Sequence, residues 1–278
     1  MDAAIARDSI PAFATADAAC APLFRPSLET VLVRPRRESP AVRAELGARE
    51  TAEEAELGLG CSPVLLLHGL FSTPRTLKVL ERRLRNDGYH VLSVRLGGLA
   101  GRFNTRRIDA LAELVRARVE RLYSRHPKLE PLTVIAHSKG GLVASYWVKR
   151  LGGHRFVKTV VTMGTPHRGT PWAWLGLPIA ALAPSVLQMI SGSAFIRRLK
   201  EGAWPAHVRL VSLYSRSDAI VPYPAAVVDA QGQPQIQNVE VAGAHKDFLL
   251  RRRIYEEVRR ALRFGEDRPA EPVLSSAA

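Results

Sequence analysis

Leu132-Thr133-Val134-Ile135-Ala136-His137-Ser138-Lys139-Gly140-Gly141 is the stretch on which the fold turns. Its first five residues form a short apolar run, as a strand covered on both faces would present. A serine follows two residues after the run ends, and helical spacing starts at once over Gly140–Leu151. A strand that turns sharply into a helix lifts the serine Oγ clear of the sheet, and small residues on either side let the two backbones approach. Ala136 and Gly140 fill those small positions, and Gly141 relieves crowding further. The pattern is A-x-S-x-G rather than G-x-S-x-G; smallness, not a positive φ, is the demand at its first position. The helix behind Ser138 also offers a positive dipole end and unpaired N–H groups. Many helices begin with a serine N-cap, so the strand–turn–helix setting is what gives this one meaning.

The flanking sequence repeats the same unit. Pro63–Leu67, Tyr89–Val94, Val157–Met163, Val208–Leu213 and the weaker Asn238–Val241 read as strands. Arg75–Asn86, Ile108–Leu122 and Phe248–Leu262 read as amphipathic helices between or after them. Repeated β-then-α units predict an α/β fold with a mostly parallel sheet and helices on both faces. Between Gly164 and Pro205 the alternation lapses into a run rich in Trp, Leu, Ile and Pro. It is too long for a plain connection, and it predicts a helical cap or lid over the sheet's carboxyl edge at about 170–204, with an ordinary pair of core helices as the alternative. The predicted organisation is an N-terminal extension over 1–60, an α/β domain over 61–265 and a disordered tail over 266–278.

The chain has 278 residues, with 46% hydrophobic and 24% charged, which is ordinary for a protein with a sizeable core. Forty Lys and Arg against 26 Asp and Glu give a net charge of +14. Residues 1–60 hold 7 basic and 10 acidic residues; residues 61–278 hold 33 and 16. The arginines are dispersed and few aromatics lie among them, so no base-stacking platform for nucleic acid is predicted. Cys20 and Cys61 cannot build a zinc site or a disulfide framework. No apolar stretch is long enough for a membrane span, and no leader pattern opens the chain, so the expected location is the cytoplasm.

An exposed serine hydroxyl becomes a nucleophile when a general base takes its proton and an acid orients that base. In a parallel sheet every β-to-α loop lies at the carboxyl edge, so residues distant in sequence can meet there. His245, after the last strand, is the candidate base, and Asp218, directly after Val208–Leu213, the candidate acid. Asp229 and Asp247 are weaker acids, the latter because it opens the final helix. His68 props its own loop, and His137 is turned aside by the tight turn; His90, His126, His154 and His207 read as surface residues. The oxyanion of a tetrahedral intermediate needs backbone donors. Lys139 N–H is one, and Leu70 N–H, in the loop after the first strand, is the other, with Phe71 in reserve. Phe71, His137, Trp172 and Trp174 are candidate substrate contacts. The chemistry calls for no cofactor, and no ligand cluster for a metal stands out.

Taken together, Leu67-His68-Gly69-Leu70, the Ser138 turn, Gly164-Thr165-Pro166-His167-Arg168-Gly169-Thr170, Asp218 and Gly243-Ala244-His245 resemble the bacterial lipase/esterase branch of the α/β-hydrolase superfamily, over roughly 61–264. The resemblance implies hydrolysis of carboxylic esters or lipids through an acyl-enzyme on Ser138, with transient contact between the cap and a lipid surface. An acyltransferase or thioesterase with the same triad, or a retired fold that binds a ligand, are the alternatives. Lys139 stands where the family usually has an uncharged residue. It either meets a carboxylate or anionic substrate, or it snorkels to solvent.

Overall fold

The apolar run at Leu132 becomes one of the inner strands of a six-stranded sheet. The computed structural model describes residues 63–94, 96–97, 104–171, 173, 178, 180 and 183–263. Their strands are β1 (Val64–Leu67), β2 (Val91–Ser93), β3 (Leu132–His137), β4 (Val157–Met163), β5 (Arg209–Tyr214) and β6 (Ile236–Glu240). The order is β2-β1-β3-β4-β5-β6, and every neighbouring pair is parallel. The predicted extension over 1–60 and tail over 266–278 lie outside the described residues.

The helices are α1 (Lys78–Asn86), α2 (Ile108–Arg125), α3 (Lys139–Arg150), α4 (Ser185–Met189), α5 (Ala194–Lys200), α6 (Tyr223–Ala226), α7 (Asp247–Leu250) and α8 (Arg252–Arg263). Successive side chains on a strand leave opposite faces, and the core divides accordingly. Leu65, Leu67, Val134, Ala136, Val160 and Leu210 join one cluster, which α2, α3 and α5 cover. Val64, Leu66, Ile135, Val161, Val211 and Leu213 join the other, beneath α1 and α8. This is why the inner strands read as unbroken apolar runs: both faces are buried.

Two helices differ from the sequence reading, and the stretch expected as a cap is described only in part. The helix expected over Arg75–Asn86 begins with a 3-10 turn, Pro74–Leu77, that has proline in its first turn. The helix expected over Phe248–Leu262 is broken at Arg251, whose backbone is extended; Arg83 Nη2 holds the Leu250 carbonyl beside the break at 2.8 Å. The described part of the expected cap, α4 and α5, packs into the core, with Phe195 stacked on Tyr146 at 5.4 Å. Residues 172, 174–177, 179 and 181–182 of the cap lie outside the described residues. Among the described residues no helix is long and apolar enough to cross a membrane.

Candidate active site

Because the sheet is parallel, the turns after β1, β3, β4, β5 and β6 all open at one edge, and those after β3, β4 and β6 begin from a backbone hydrogen bond to a neighbouring strand. Ser138 N donates to Met163 O at 2.9 Å, Gly164 N to Leu213 O at 3.0 Å, and Val241 N to Tyr214 O at 2.8 Å. Residues separated by more than a hundred positions thereby share a fixed origin.

Ser138 has φ 55° and ψ −127°, a conformation that costs a non-glycine residue about 1–3 kcal/mol. The turn is held from several sides. The Ser138 carbonyl accepts from Gly141 N at 3.0 Å and from Thr165 Oγ1 at 2.9 Å. A Cβ on Gly140 would stand 2.6 Å from Leu67 O, and one on Gly141 would stand 2.1 Å from Thr165 Oγ1. The second small position of the motif is therefore a packing requirement, as the sequence suggests.

Asp218 sits in the turn after β5 with its side chain 1% exposed. Oδ1 accepts the N–H groups of Ile220 and Val221, both at 2.9 Å. Oδ2 lies 2.7 Å from His245 Nδ1. A carboxylate only accepts, so Nδ1 carries the proton and Nε2 is left with its lone pair, the tautomer a general base needs. Ser138 Oγ makes no hydrogen bond to His245 in this structure; such contacts often close only with substrate in place.

Three further residues, of which the sequence reading passes over Ser215, hold these groups together. Ser215 Oγ accepts Ser217 N at 3.1 Å from the acid's turn and Gly243 N at 3.3 Å from the base's. Gly164 forms the floor under the pair: its φ is +53°, and a Cβ there would lie 3.0 Å from Asp218 Oδ2 and 3.1 Å from His245 Nδ1. Asp247 Oδ2 accepts Ala244 N at 2.9 Å, which makes Asp247 a brace for the His245 turn. A hydroxyl in a polar turn is too common a feature for sequence to mark Ser215.

His137 departs from its expected role as a substrate contact. It is buried, its Nε2 donates to the His245 carbonyl at 3.1 Å, and the two rings are 4.6 Å apart. Its pKa is lowered to about 3, chiefly by burial, so it is a neutral prop for the base. His68 props its own loop as expected, with Nδ1 toward Gly69 O at 3.3 Å and Nε2 toward Leu96 N at 3.5 Å. His167 is buried with Nε2 3.0 Å from Thr162 Oγ1, which in turn donates to Ser212 Oγ. Phe71 is 45% exposed beside Leu70, with φ 52°, and is open to a ligand. Trp172 and Trp174 lie outside the described residues.

The loop and the helix start expected to supply an oxyanion's donors both lie beside the serine. Lys139 begins α3, so its N–H has no intrahelical acceptor. The loop carrying Leu70 is close by, since a Cβ on Gly69 would lie 3.0 Å from Ser138 Cβ. The Lys139 side chain follows neither expected course. It is fully buried, turned away from solvent, and its Nζ donates to the carbonyls of Asn104 at 3.0 Å and Arg106 at 2.8 Å. Desolvation lowers its pKa to about 7. Among the described residues no group of three or more His, Cys, Asp or Glu is poised to hold a metal.

Comparison with known proteins bears on the fold. A sequence profile of the palmitoyl protein thioesterase family matches residues 63–190, under half of the chain. Est1E from Butyrivibrio proteoclasticus superposes with a TM-score of 0.58 at 14% identity, over 77% of this chain and 92% of its own. The mature lipase BlEst2 of Bacillus licheniformis gives 0.57 at 14%, over 73% and 92%. A thermophilic esterase from Thermogutta terrifontis gives 0.51 at 18%, over 74% and 92%. At these identities the likeness establishes the fold, not the reaction. By that likeness, and by its parallel sheet with helices on both faces, the chain has the α/β-hydrolase fold.

Proposed function

We propose that the chain is a serine hydrolase of carboxylic acyl esters, lipids included, working through an acyl-enzyme on Ser138. The observation that carries this reading is the 2.7 Å contact between Asp218 Oδ2 and His245 Nδ1, on the same sheet edge as a serine in a strained turn. Ser138 Oγ attacks the acyl carbon while His245 Nε2 takes its proton. The negative charge gathers on the carbonyl oxygen between the N–H groups of Leu70 and Lys139. His245 then passes the proton to the departing alkoxide, which leaves as the alcohol. A water deprotonated by His245 attacks the acyl-enzyme, and Ser138 recovers its proton as the acid departs. Each backbone donor in comparable sites is worth about 3–4 kcal/mol of barrier.

The thioesterase profile over residues 63–190 favours a second reading in which the leaving group is a thiolate. The triad steps are the same, but a thiolate leaves with less help from the acid. Fluorophosphonate labelling followed by mapping of the modified peptide tests the shared step, with the label expected on Ser138 and absent in Ser138→Ala. Rates on p-nitrophenyl acyl esters and on acyl-coenzyme A thioesters then separate the two leaving groups. Labelling elsewhere, or full ester turnover by Ser138→Ala, would end the serine hydrolase reading. A labelled Ser138 with acyl products that appear only when an acceptor alcohol is added would instead mark an acyltransferase.

A further inference from the structure

A lysine that begins a helix normally swings to solvent, and an ammonium inside a protein costs several kcal/mol unless it is well partnered. Lys139 is 0% exposed, and its two hydrogen-bond acceptors are backbone carbonyls of one segment, Asn104 and Arg106. No ion pair with a described carboxylate offsets its burial. That segment lies between β2 and α2, and its own contacts lead to the other side of the site. Asn104 is also 0% exposed. Its side-chain Nδ2 donates to His68 O at 2.9 Å, and its backbone N donates to Ser72 O at 3.4 Å. The loop from His68 to Ser72, with Leu70 at its centre, is thus gripped near both ends by one asparagine. The lysine next to the nucleophile anchors that asparagine in turn.

We infer that Lys139 and Asn104 are positioning residues that tie the two halves of the oxyanion hole into one frame. Lys139 supplies one donor from its own backbone N–H. Through Nζ and Asn104 its side chain sets the distance to the other donor at Leu70. The inference rests on the acyl-transfer reading of Ser138 and adds to it two residues that need not touch the substrate. A buried lysine is a costly way to fill space, and Met would fill the same volume at lower desolvation cost. The frame accounts for the amine: two carbonyls that point inward need a donor reaching them from α3. The same segment is also tied to α4, through Ser185 Oγ to Thr105 O at 3.2 Å and Ile108 N to Gln188 Oε1 at 2.6 Å, so it has firm support on its far side.

The test compares Lys139→Met, Asn104→Ala and the double variant with the wild type. The steady-state readout is the kcat and KM for p-nitrophenyl butyrate; the second readout is hydrogen exchange, by mass spectrometry, of the peptide spanning residues 66–76. Loss of alignment at one donor predicts a fall in kcat of ~10²-fold with KM within ~2-fold. The double variant should be little worse than either single one, because both remove the same link. Exchange over 66–76 should rise in all three. Unchanged kcat and exchange in both single variants would overturn the inference, and so would losses that multiply in the double variant. Should Lys139→Met fail to fold, Asn104→Ala decides by the same two readouts. A wild type inert towards every ester and thioester, with the exchange pattern as expected, would sink the hydrolase reading and leave the frame standing.

Discussion

Gly164 shows how a residue without a side chain governs the reacting groups. It has φ +53°, and a Cβ would come to 3.0 Å from the acid's Oδ2 and 3.1 Å from the base's Nδ1. The positive φ strains alanine, and the space requires the neighbouring groups to give by a few tenths of an ångström. Gly164→Ala must therefore push Asp218 and His245 off their 2.7 Å contact or shift the turn after β4. A displacement of about 1 Å in a catalytic group costs on the order of 10²-fold in rate, so a shift of a few tenths of an ångström should lower kcat on p-nitrophenyl esters by about tenfold. Fluorophosphonate labelling of Ser138 should slow with it, and a kcat within threefold of wild type would contradict the floor assigned to Gly164. That Ser138, Asp218 and His245 come to one sheet edge was legible in sequence because each follows a strand of the parallel sheet and because chain order and edge geometry leave few alternatives. The direction of Lys139 was not, because it depends on Asn104 and Arg106, residues more than thirty positions away whose carbonyls no local pattern reveals.

Between elements, the joint of α3 and α5 shows how the stretch after β4 is attached. The last four carbonyls of a helix lack intrahelical partners, and two cations from the end of α3 reach those of α5. Lys149 Nζ donates to Leu199 O at 2.8 Å and to Gly202 O at 2.9 Å. Arg150 Nη2 donates to Glu201 O at 2.7 Å and also to Arg198 O. Positive charge at this end also suits the helix dipole. Lys149→Met removes two of these bonds and should cost about 1 kcal/mol, which is about 2–4 °C in melting temperature for a chain of this size. The sites cleaved first in limited proteolysis should move to residues 190–205, whereas an unchanged melting temperature would mean that Arg150 suffices. Among the elements, β1, β3 and β4 were readable to within one residue because burial on both faces leaves a continuous apolar run. The edge strands β2 and β6 drifted by two residues, since a strand with one neighbour is bounded by turn geometry rather than by hydrophobicity. The break at Arg251 carried no proline or glycine signal; it follows from a tertiary contact, Arg83 on the Leu250 carbonyl.

Across the whole molecule, burial of ionisable groups in their neutral forms sets how stability responds to pH. Burial lowers His68 to about 4 and both His137 and His167 to about 3, against an ordinary value of 6.5. The folded state thus keeps these rings neutral at a pH where the unfolded chain would protonate them. Stability from this source is whole above pH 6.5 and drains away as the pH falls from 6.5 towards 4 and then 3, because the unfolded state binds the extra protons. Lys139, lowered to about 7 from 10.5, acts in the same sense in a higher window. Its burial destabilises the fold as the pH falls from 10.5 to 7, and Lys149, lowered to about 8, adds to that. Asp109, lowered against the pull of burial by its pairing with Arg107, keeps its stabilisation above about pH 4 and loses it only below, so a comparison between about pH 7 and 4.5 isolates the histidines among these groups. His167 is the cleanest probe, because its hydrogen bond runs to Thr162 within the sheet rather than to the site. The urea midpoint of the wild type should drop from pH 7 to 4.5, and His167→Gln, which retains a side-chain donor but cannot titrate, should show a smaller drop. An equal drop in both proteins would mean that His167 is protonated in the fold, and that the buried chain from His167 through Thr162 to Ser212 accepts charge, contrary to its place beneath the sheet edge.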